Sequence, residues 1–226
     1  MRCKLCDNFI RTNLSLKEWL YFIPVEKLSI CERCQAKFEK VDPDISCPIC
    51  KKSGHSHICP ECLAWQKIYP KYSFKHDCLY YYNDWMGEWL EKFKFKGDFQ
   101  LAQCFQHDLK VFFRHVNYDL IIPTPLSKER QQIRRFNQVE ALLYFADIKY
   151  ADILEKTIDT LPQSNKTRQD RLDMPQIFSL KSRESVFQKK VLLVDDVYTT
   201  GRTLLHGVDC LYLNGAKLVH TFSLAR

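Results

Sequence analysis

This sequence predicts an α/β domain on a mainly parallel sheet, preceded by a small cysteine-rich module. Three observations carry that expectation. Short apolar runs that read as strands alternate with stretches of helical periodicity, the order that builds a mainly parallel sheet. One such run, residues 191–194, has the continuous apolar pattern of a strand buried on both faces, and it ends in two adjacent carboxylates and a hydroxyl-rich turn. Eight of the eleven cysteines fall into four C-x-x-C pairs within the first 62 residues.

Those pairs are Cys3/Cys6, Cys31/Cys34, Cys47/Cys50 and Cys59/Cys62. Each presents two thiolates from one tight knuckle, and two knuckles complete a tetrahedral Zn²⁺ site, so the four pairs predict two four-cysteine sites. Redox-active C-x-x-C motifs need a thioredoxin-like βαβ setting, which does not account for four of them so close together. Four-thiolate sites are closed, whereas catalytic zinc keeps an open position, so both ions are expected to be structural. Joining nearest neighbours, Cys3/Cys6 with Cys31/Cys34 and Cys47/Cys50 with Cys59/Cys62, gives two zinc ribbons in tandem. A cross-braced arrangement joins alternate pairs and uses the same ligands; the tandem form is the expectation. His55 and His57 read as solvated loop residues. Residues 1–62 hold too few regularly spaced apolar side chains for a core of their own, and a module this small needs a staple. The boundary is placed at residue 66, with a double zinc-ribbon module over 1–66 and the α/β domain over 67–226. Cys78, Cys104 and Cys210 stand alone and are not read as nucleophiles.

Within 67–226 the pattern resolves into elements. Asn83 opens a helix with Met86, Trp89, Leu90 and Phe93 on one face, and residues 93–98 end it. Residues 101–116 read as a second helix through Phe105, Leu109, Phe112 and Phe113. Residues 118–123 form a short strand that stops at Pro123-Thr124-Pro125, residues 136–148 a helix, and 153–156 a short strand. After the 191–194 strand, Leu204, Leu205, Val208 and Leu211 mark a helix, and residues 218–224 a last strand. Two connecting segments, 127–138 and 163–172, carry dense charge and read as loops.

A length of 226 residues suits one α/β domain plus something small. The net charge of +7 favours polyanionic partners. No apolar run approaches the roughly 20 residues that span a bilayer. Cys3 follows Met1 so closely that no signal-peptide core is expected, and the chain reads as cytoplasmic.

The chemistry concentrates after residue 194. Ligands in open α/β sheets sit beyond the carboxyl ends of the strands. Asp195 and Asp196 can there accept hydrogen bonds from the vicinal hydroxyls of a ribose. Thr199, Thr200, Gly201, Arg202 and Thr203 can wrap a phosphate with N–H groups and hydroxyls at the positive end of the next helix. An acidic pair for the sugar and a hydroxyl turn for its phosphate describe a 5-phosphoribosyl site. No G-x-x-x-x-G-K-[ST] and no G-x-G-x-x-G occurs, so the usual nucleotide loops are excluded. A two-component receiver also has a strand ending in Asp-Asp, but its domain needs about a hundred further residues. An ordinary structural turn would not gather two charges and several small polar groups at one strand end.

The string from Val191 to Thr203 is similar to the signature of type I phosphoribosyltransferases, and the whole chain resembles the ComFC/GntX family of phosphoribosyltransferase-like proteins of DNA uptake and competence. The paired cysteines match that family's double zinc ribbon. Phe93-Lys94-Phe95-Lys96-Gly97-Asp98 matches its Lys-rich segment, and Ile122-Pro123-Thr124-Pro125-Leu126-Ser127 with Arg130 its V-P-x-P-L-S-x-x-R segment. Arg134-Arg135-Phe136-Asn137-Gln138 matches R-G-F-N-Q with Arg135 in place of Gly, and Gln163, Arg168 and Arg171 fall on Q-x-x-x-x-R-x-x-R.

The resemblance implies roles for the charged segments. Residues 125–130 become the pyrophosphate loop, charged by Lys128 and Arg130. Residues 130–138, with Arg134, Arg135, Asn137 and Gln138, become the cover over the ligand, and Arg at 135 is expected to stiffen it. These residues, with Arg168 and Arg171, are also candidates for DNA contacts. The ligand implied is phosphoribosyl pyrophosphate with Mg²⁺, the ion held largely by the ligand's own phosphates and water. The function implied is handling of incoming single-stranded DNA after uptake in natural transformation. A ComFA-type DNA helicase and other uptake proteins are the implied partners, and uptake machinery would recruit the protein to the inner face of the membrane. An active phosphoribosyltransferase with an unidentified acceptor is the alternative, although no base-reading segment stands out. A third reading makes the zinc module functional and the domain a relic, against which the intact turn speaks. Phe93 and Phe95, beside Lys94 and Lys96, could stack bases; a core role is expected for both.

Overall fold

The computed structural model describes residues 2–10, 17, 20–21, 28–157, 176–182 and 185–226, so Gln163, Arg168 and Arg171 lie outside the described residues. Four strands form the main sheet: β1 (His76–Tyr80), β2 (Leu120–Pro123), β5 (Lys190–Val197) and β6 (Leu218–Ala225). Their order is β1-β6-β5-β2 and every pairing is parallel. Two further strands, β3 (Leu154–Lys156) and β4 (Phe178–Leu180), pair antiparallel as a separate ribbon.

Alternation along β5 separates two cores, because successive side chains of a strand point to opposite faces. Leu192 and Val194 join Phe222 and Leu224 on one face, while Val191 and Leu193 join Val219 on the other. The first face is covered by α3 (Asp84–Phe95), α4 (Gln106–Arg114) and α6 (Gln138–Phe145). Asn83 starts α3 as expected, its side chain accepting the Met86 N–H at 3.0 Å, and Met86, Trp89, Leu90 and Phe93 are its buried residues. The second face is covered by α7 (Arg202–Leu213) through Leu204, Val208 and Leu211. Gly207 lets α7 approach β5 closely: a Cβ there would lie 2.5 Å from a Leu193 methyl.

Three expectations need correction. The helix read over 101–116 is a 3-10 turn, Phe99–Phe105, followed by α4. Trp89 Nε1 donates to the Leu101 carbonyl at 3.3 Å, which draws that carbonyl away from a regular helical ladder. The segment read as a charged loop contains α5 (Lys128–Arg134), capped by Ser127, whose Oγ accepts the Arg130 N–H at 3.3 Å. No residue of it is buried and its charges are exposed apart from half-buried Arg134, so no apolar period announces it. Strand β1 has no signal in the sequence reading, because it is anchored by a polar residue. His76 is fully buried and bonds Thr221 Oγ1 at 2.9 Å and Ser223 Oγ at 3.0 Å, and burial holds its imidazole well below the usual range.

The cysteine segment is packed into the α/β domain. Cys3, Ile10, Ile30, Cys34 and Phe38 join the core under α3, and Cys47, Cys50, Cys59 and Cys62 join the core under α7. The backbone of residues 39–41 pairs with the end of β1, Val41 N–H to Leu79 at 2.9 Å and Tyr81 N–H to Glu39 at 2.8 Å. A short helix, α1 (Glu32–Gln35), follows Cys31, and α2 (Pro60–Ile68) follows Cys59 and runs across position 66. No described helix is long and apolar enough to cross a membrane.

Candidate functional site

Two four-thiolate clusters form, Cys3/Cys6/Cys31/Cys34 and Cys47/Cys50/Cys59/Cys62, with each set of sulfurs within 4.8 Å of one another. This is the nearest-neighbour pairing, not the cross-braced one. Sulfur separations are 3.7 Å for Cys6 and Cys31, 3.9 Å for Cys47 and Cys62, and 3.6 Å for Cys50 and Cys59. A tetrahedron with Zn–S bonds of about 2.3 Å has edges of about 3.8 Å, so both clusters fit a zinc ion. A backbone N–H supports one sulfur in each: Cys31 N–H to Cys3 and Cys59 N–H to Cys47, both at 3.3 Å. Hydrogen bonding with Cys62 and the positive charge of Arg226 hold the Cys50 thiol down to about 5 against its burial, while hydrogen bonding with Cys50 and burial push the Cys62 thiol up. The second cluster is 0–2% exposed, whereas Cys6 of the first is exposed. His55 and His57 belong to neither cluster.

The second constellation sits at the carboxyl end of β5. Asp195 accepts Thr124 Oγ1 at 2.8 Å and the Asp196 N–H at 2.9 Å. Thr124 is set by its own N–H to Val194 at 2.8 Å and by Asn137 Nδ2, which donates to the Thr124 carbonyl at 3.0 Å. Burial, then the adjacent Asp196 charge, push the Asp195 carboxyl up to about 6, with Thr124 and Lys94 acting against them. Asp196 pairs with Lys94 Nζ at 2.7 Å, both side chains largely shielded from water. Arg134 is half-buried near both carboxylates; burial lowers its pKa and the two negative charges oppose that. Its Nη1 donates to Gln138 Oε1 at 3.0 Å, and its guanidinium lies 5.6 Å from the exposed Phe95 ring.

Beyond the acidic pair the chain turns through Thr199 and Thr200, both exposed, into Gly201, which starts α7 at φ +76° with no side-chain cap. Glycine is needed there twice over. The backbone is left-handed, and a Cβ would lie 2.2 Å from the Tyr198 hydroxyl. Thr203 is exposed on the first turn, and Arg202 keeps a buried Nη2 with no bonded partner among the described residues. An uncapped helix start beside an unsatisfied guanidinium nitrogen can take an anion.

The fold thus brings Asp195, Asp196, Thr199, Thr200, Gly201, Arg202 and Thr203 to one strand end, with Arg134, Asn137 and Gln138 converging on it from the β2 side. Asn137 caps α6, its Oδ1 accepting the Val139 N–H at 2.9 Å. Lys128, Arg130 and Arg135 are exposed. Arg135 keeps the left-handed conformation, φ +66°, that a glycine would adopt without cost, and it closes α5. Sequence reasoning missed Lys94 and Thr124 as site residues. Lys94 follows Phe93, which is fully buried, and the roughly 100° step per helical residue turns Lys94 toward the strand ends. Its neighbour Phe95 is 71% exposed, not a core residue as expected.

Comparison with known proteins places these features. A model of the phosphoribosyl transferase domain matches residues 143–226. "Competence protein ComFC" of Streptococcus pneumoniae is 34% identical over 226 residues, all of both chains. "Competence protein ComFC" of Bacillus subtilis is 33% identical over 231 residues, 99% of this chain and 94% of that one. Among solved structures, one titled "Structure of the allosteric regulatory enzyme of purine biosynthesis" overlaps 53% of this chain and 24% of its own, at 22% identity and a TM-score of 0.34. With a phosphoribosyltransferase-type domain, two four-cysteine clusters and end-to-end identity to two such relatives, the chain belongs to the ComFC family of competence proteins.

Proposed function

We propose that this competence protein binds phosphoribosyl pyrophosphate, with Mg²⁺, at the end of β5, and engages single-stranded DNA on the basic surface beside it. The observation that carries the ligand reading is the convergence of two carboxylates, two cations and an uncapped glycine turn on one strand end. Asp195 and Asp196 accept the ribose hydroxyls, the turn from Thr199 to Thr203 takes the 5-phosphate, and Lys94 and Arg134 face the pyrophosphate. Mg²⁺ is held mainly by the phosphates and water. Zinc in the two thiolate clusters is structural.

Lys94 is bonded to Asp196 in the free protein and is expected to turn to the pyrophosphate when the ribose takes Asp196. Calorimetric titration of Lys94→Ala should show affinity about 10–100-fold weaker, the worth of one hydrogen bond to a charged group. Unchanged or tighter binding would mean that Lys94 only neutralises Asp196.

The pH dependence has a definite sign. The Asp195 carboxyl titrates near 6 in the fold against a reference of 3.8, so the folded state binds more protons over that window. Stability therefore falls as pH rises from 3.8 through about 6, while the ionised form that accepts hydroxyls appears only above it. Ligand affinity should rise between about pH 5 and pH 7, where a phosphate group also titrates near 6. Asp195→Asn removes the protein's share of the rise, and an identical profile in that variant would remove Asp195 from the account.

DNA engagement is supported by the net charge of +7, by the exposed Lys128, Arg130 and Arg135, and by Phe95, an exposed ring between Lys94 and Lys96. Charge reversal at Lys128, Arg130 and Arg135 should weaken single-stranded DNA binding and flatten its salt dependence, read by anisotropy across a salt series. An unaltered salt slope would move the DNA elsewhere. Relatives named as competence proteins, and the resemblance set out above, support cooperation with a ComFA-type helicase at the cytoplasmic face of the membrane.

A further inference from the structure

Three side chains outside the ligand constellation run from the second cysteine cluster to the back of the phosphate turn. Glu61, inside the Cys59/Cys62 knuckle, pairs with Arg226 Nη2 at 2.9 Å and with Lys52 Nζ at 2.6 Å. The Arg226 side chain is 5% exposed, and its Nη1 donates to the Thr199 carbonyl at 3.1 Å and reaches that of Tyr198 at 3.5 Å. Its guanidinium also lies 4.1 Å from the Tyr198 ring centroid. Trp65, one turn further along α2, donates Nε1 to the Thr200 carbonyl at 3.2 Å. The Arg226 backbone is itself fixed on both sides, its N–H to Tyr80 at 3.0 Å and its carbonyl from Tyr82 at 2.7 Å.

The Arg226 Nη1 and Trp65 Nε1 bonds end on the successive carbonyl oxygens of Tyr198, Thr199 and Thr200. In a planar trans peptide the C=O and the following N–H point in opposite directions. Holding the Tyr198, Thr199 and Thr200 carbonyls toward the knuckle therefore turns the N–H groups of Thr199, Thr200 and Gly201 away from it. None of those three N–H groups is bonded within the described residues. Carbonyls left free to rotate would present negative dipoles to a phosphate; tethered, they leave only donors on the outward side.

We propose that Glu61, Trp65 and Arg226 form a strut by which the second cysteine knuckle fixes the turn in its phosphate-accepting shape. The three are positioning residues, and their role in ligand binding rests on the phosphoribosyl reading above. The strut makes the 5-phosphate subsite, and not the pyrophosphate subsite, depend on the metal knuckle. Its span explains why a residue inside a thiolate knuckle and one at the end of β6 are bonded across a sequence separation of 165.

The test uses the full, metal-loaded chain and the variants Trp65→Phe, which keeps the ring but loses the donor, Arg226→Lys and Glu61→Gln, with metal content measured in each. Hydrogen exchange of the bonded amides that bracket the turn, Tyr198 N–H to the Ala225 carbonyl and Leu205 N–H to the Gly201 carbonyl, both at 2.9 Å, should be at least about tenfold faster in Trp65→Phe and Arg226→Lys at equal metal content, as expected for a local opening made easier. Ribose 5-phosphate binding should weaken about tenfold in the same variants while pyrophosphate binding stays within about twofold, a tenfold loss being the scale of one hydrogen bond. Glu61→Gln, which retains an acceptor for Arg226, should fall between the parent and Arg226→Lys. Unchanged exchange at the turn overturns the strut, and so does an equal loss for both ligands, the mark of a merely structural role. A parent protein that takes neither ligand would bring down the phosphoribosyl reading alone, because exchange at the turn would still decide the strut.

Discussion

Replacing both members of the acidic pair, Asp195→Asn with Asp196→Asn, is expected to weaken phosphoribosyl pyrophosphate binding by at least about 100-fold in a calorimetric titration with Mg²⁺. Each carboxylate is assigned one ribose hydroxyl, and a hydrogen bond to a charged group contributes about 1.5–3 kcal/mol, so two together reach about 3–6 kcal/mol. Asparagine keeps an oxygen where Asp195 accepts Thr124, so the link between β2 and β5 survives and the loss belongs to the ligand. Asn at 196 releases Lys94 from its ion pair, freeing a cation for the pyrophosphate and partly offsetting the loss. The single variants separate these effects, with Asp196→Asn expected to be the milder. A well-folded double variant that binds within about threefold of the parent would mean that the turn serves another ligand, since so small a change is below the worth of one such bond.

Removing metal from the second cluster is expected to unfold the α/β domain and not the ribbons alone. From sequence, a chelator would be expected to melt residues 1–62 and spare the rest, because the module lacks a core of its own. In the structure Cys47, Cys50, Cys59 and Cys62 are buried against Leu193, Tyr198, Val208 and Val219, in the core between β5, β6 and α7. Structural zinc contributes apparent binding energies of about 10–16 kcal/mol, as large as the whole stability of a typical domain at about 5–15 kcal/mol. Exposed Cys6 and half-buried Cys31 should surrender the first ion earlier. Chelator titration followed by hydrogen exchange of β5, β6 and α7 should show their protection lost only with the second equivalent. Full protection of those elements after both ions have left would refute this coupling.

Much of the site was legible because its signals are local. Two adjacent carboxylates after a buried strand, and a glycine between threonines before a helix, are encoded within about a dozen consecutive residues. Asn83 before an apolar period marked α3 in the same way, and C-x-x-C spacing marked four knuckles, since two residues between thiols are what a knuckle requires. Element ends were less legible. The 3-10 turn before α4 depends on an indole reaching a carbonyl 12 residues away, and α5 buries no residue that would set an apolar period. His76 shows the same limit: a histidine reads as exposed until Thr221 and Ser223 are found beside it, 145 and 147 residues later.

The sequence by itself determined the parallel α/β class, the eight paired thiols and the acidic pair with its glycine turn, because each is written in spacing along one short segment. Tertiary structure alone decided which knuckles share a cluster, that Lys94 caps Asp196, and that Glu61, Trp65 and Arg226 meet the turn. Those contacts join residues up to 165 positions apart. They arise from the order in which strands enter the sheet and the face on which each helix packs, and no local pattern of residue types encodes that.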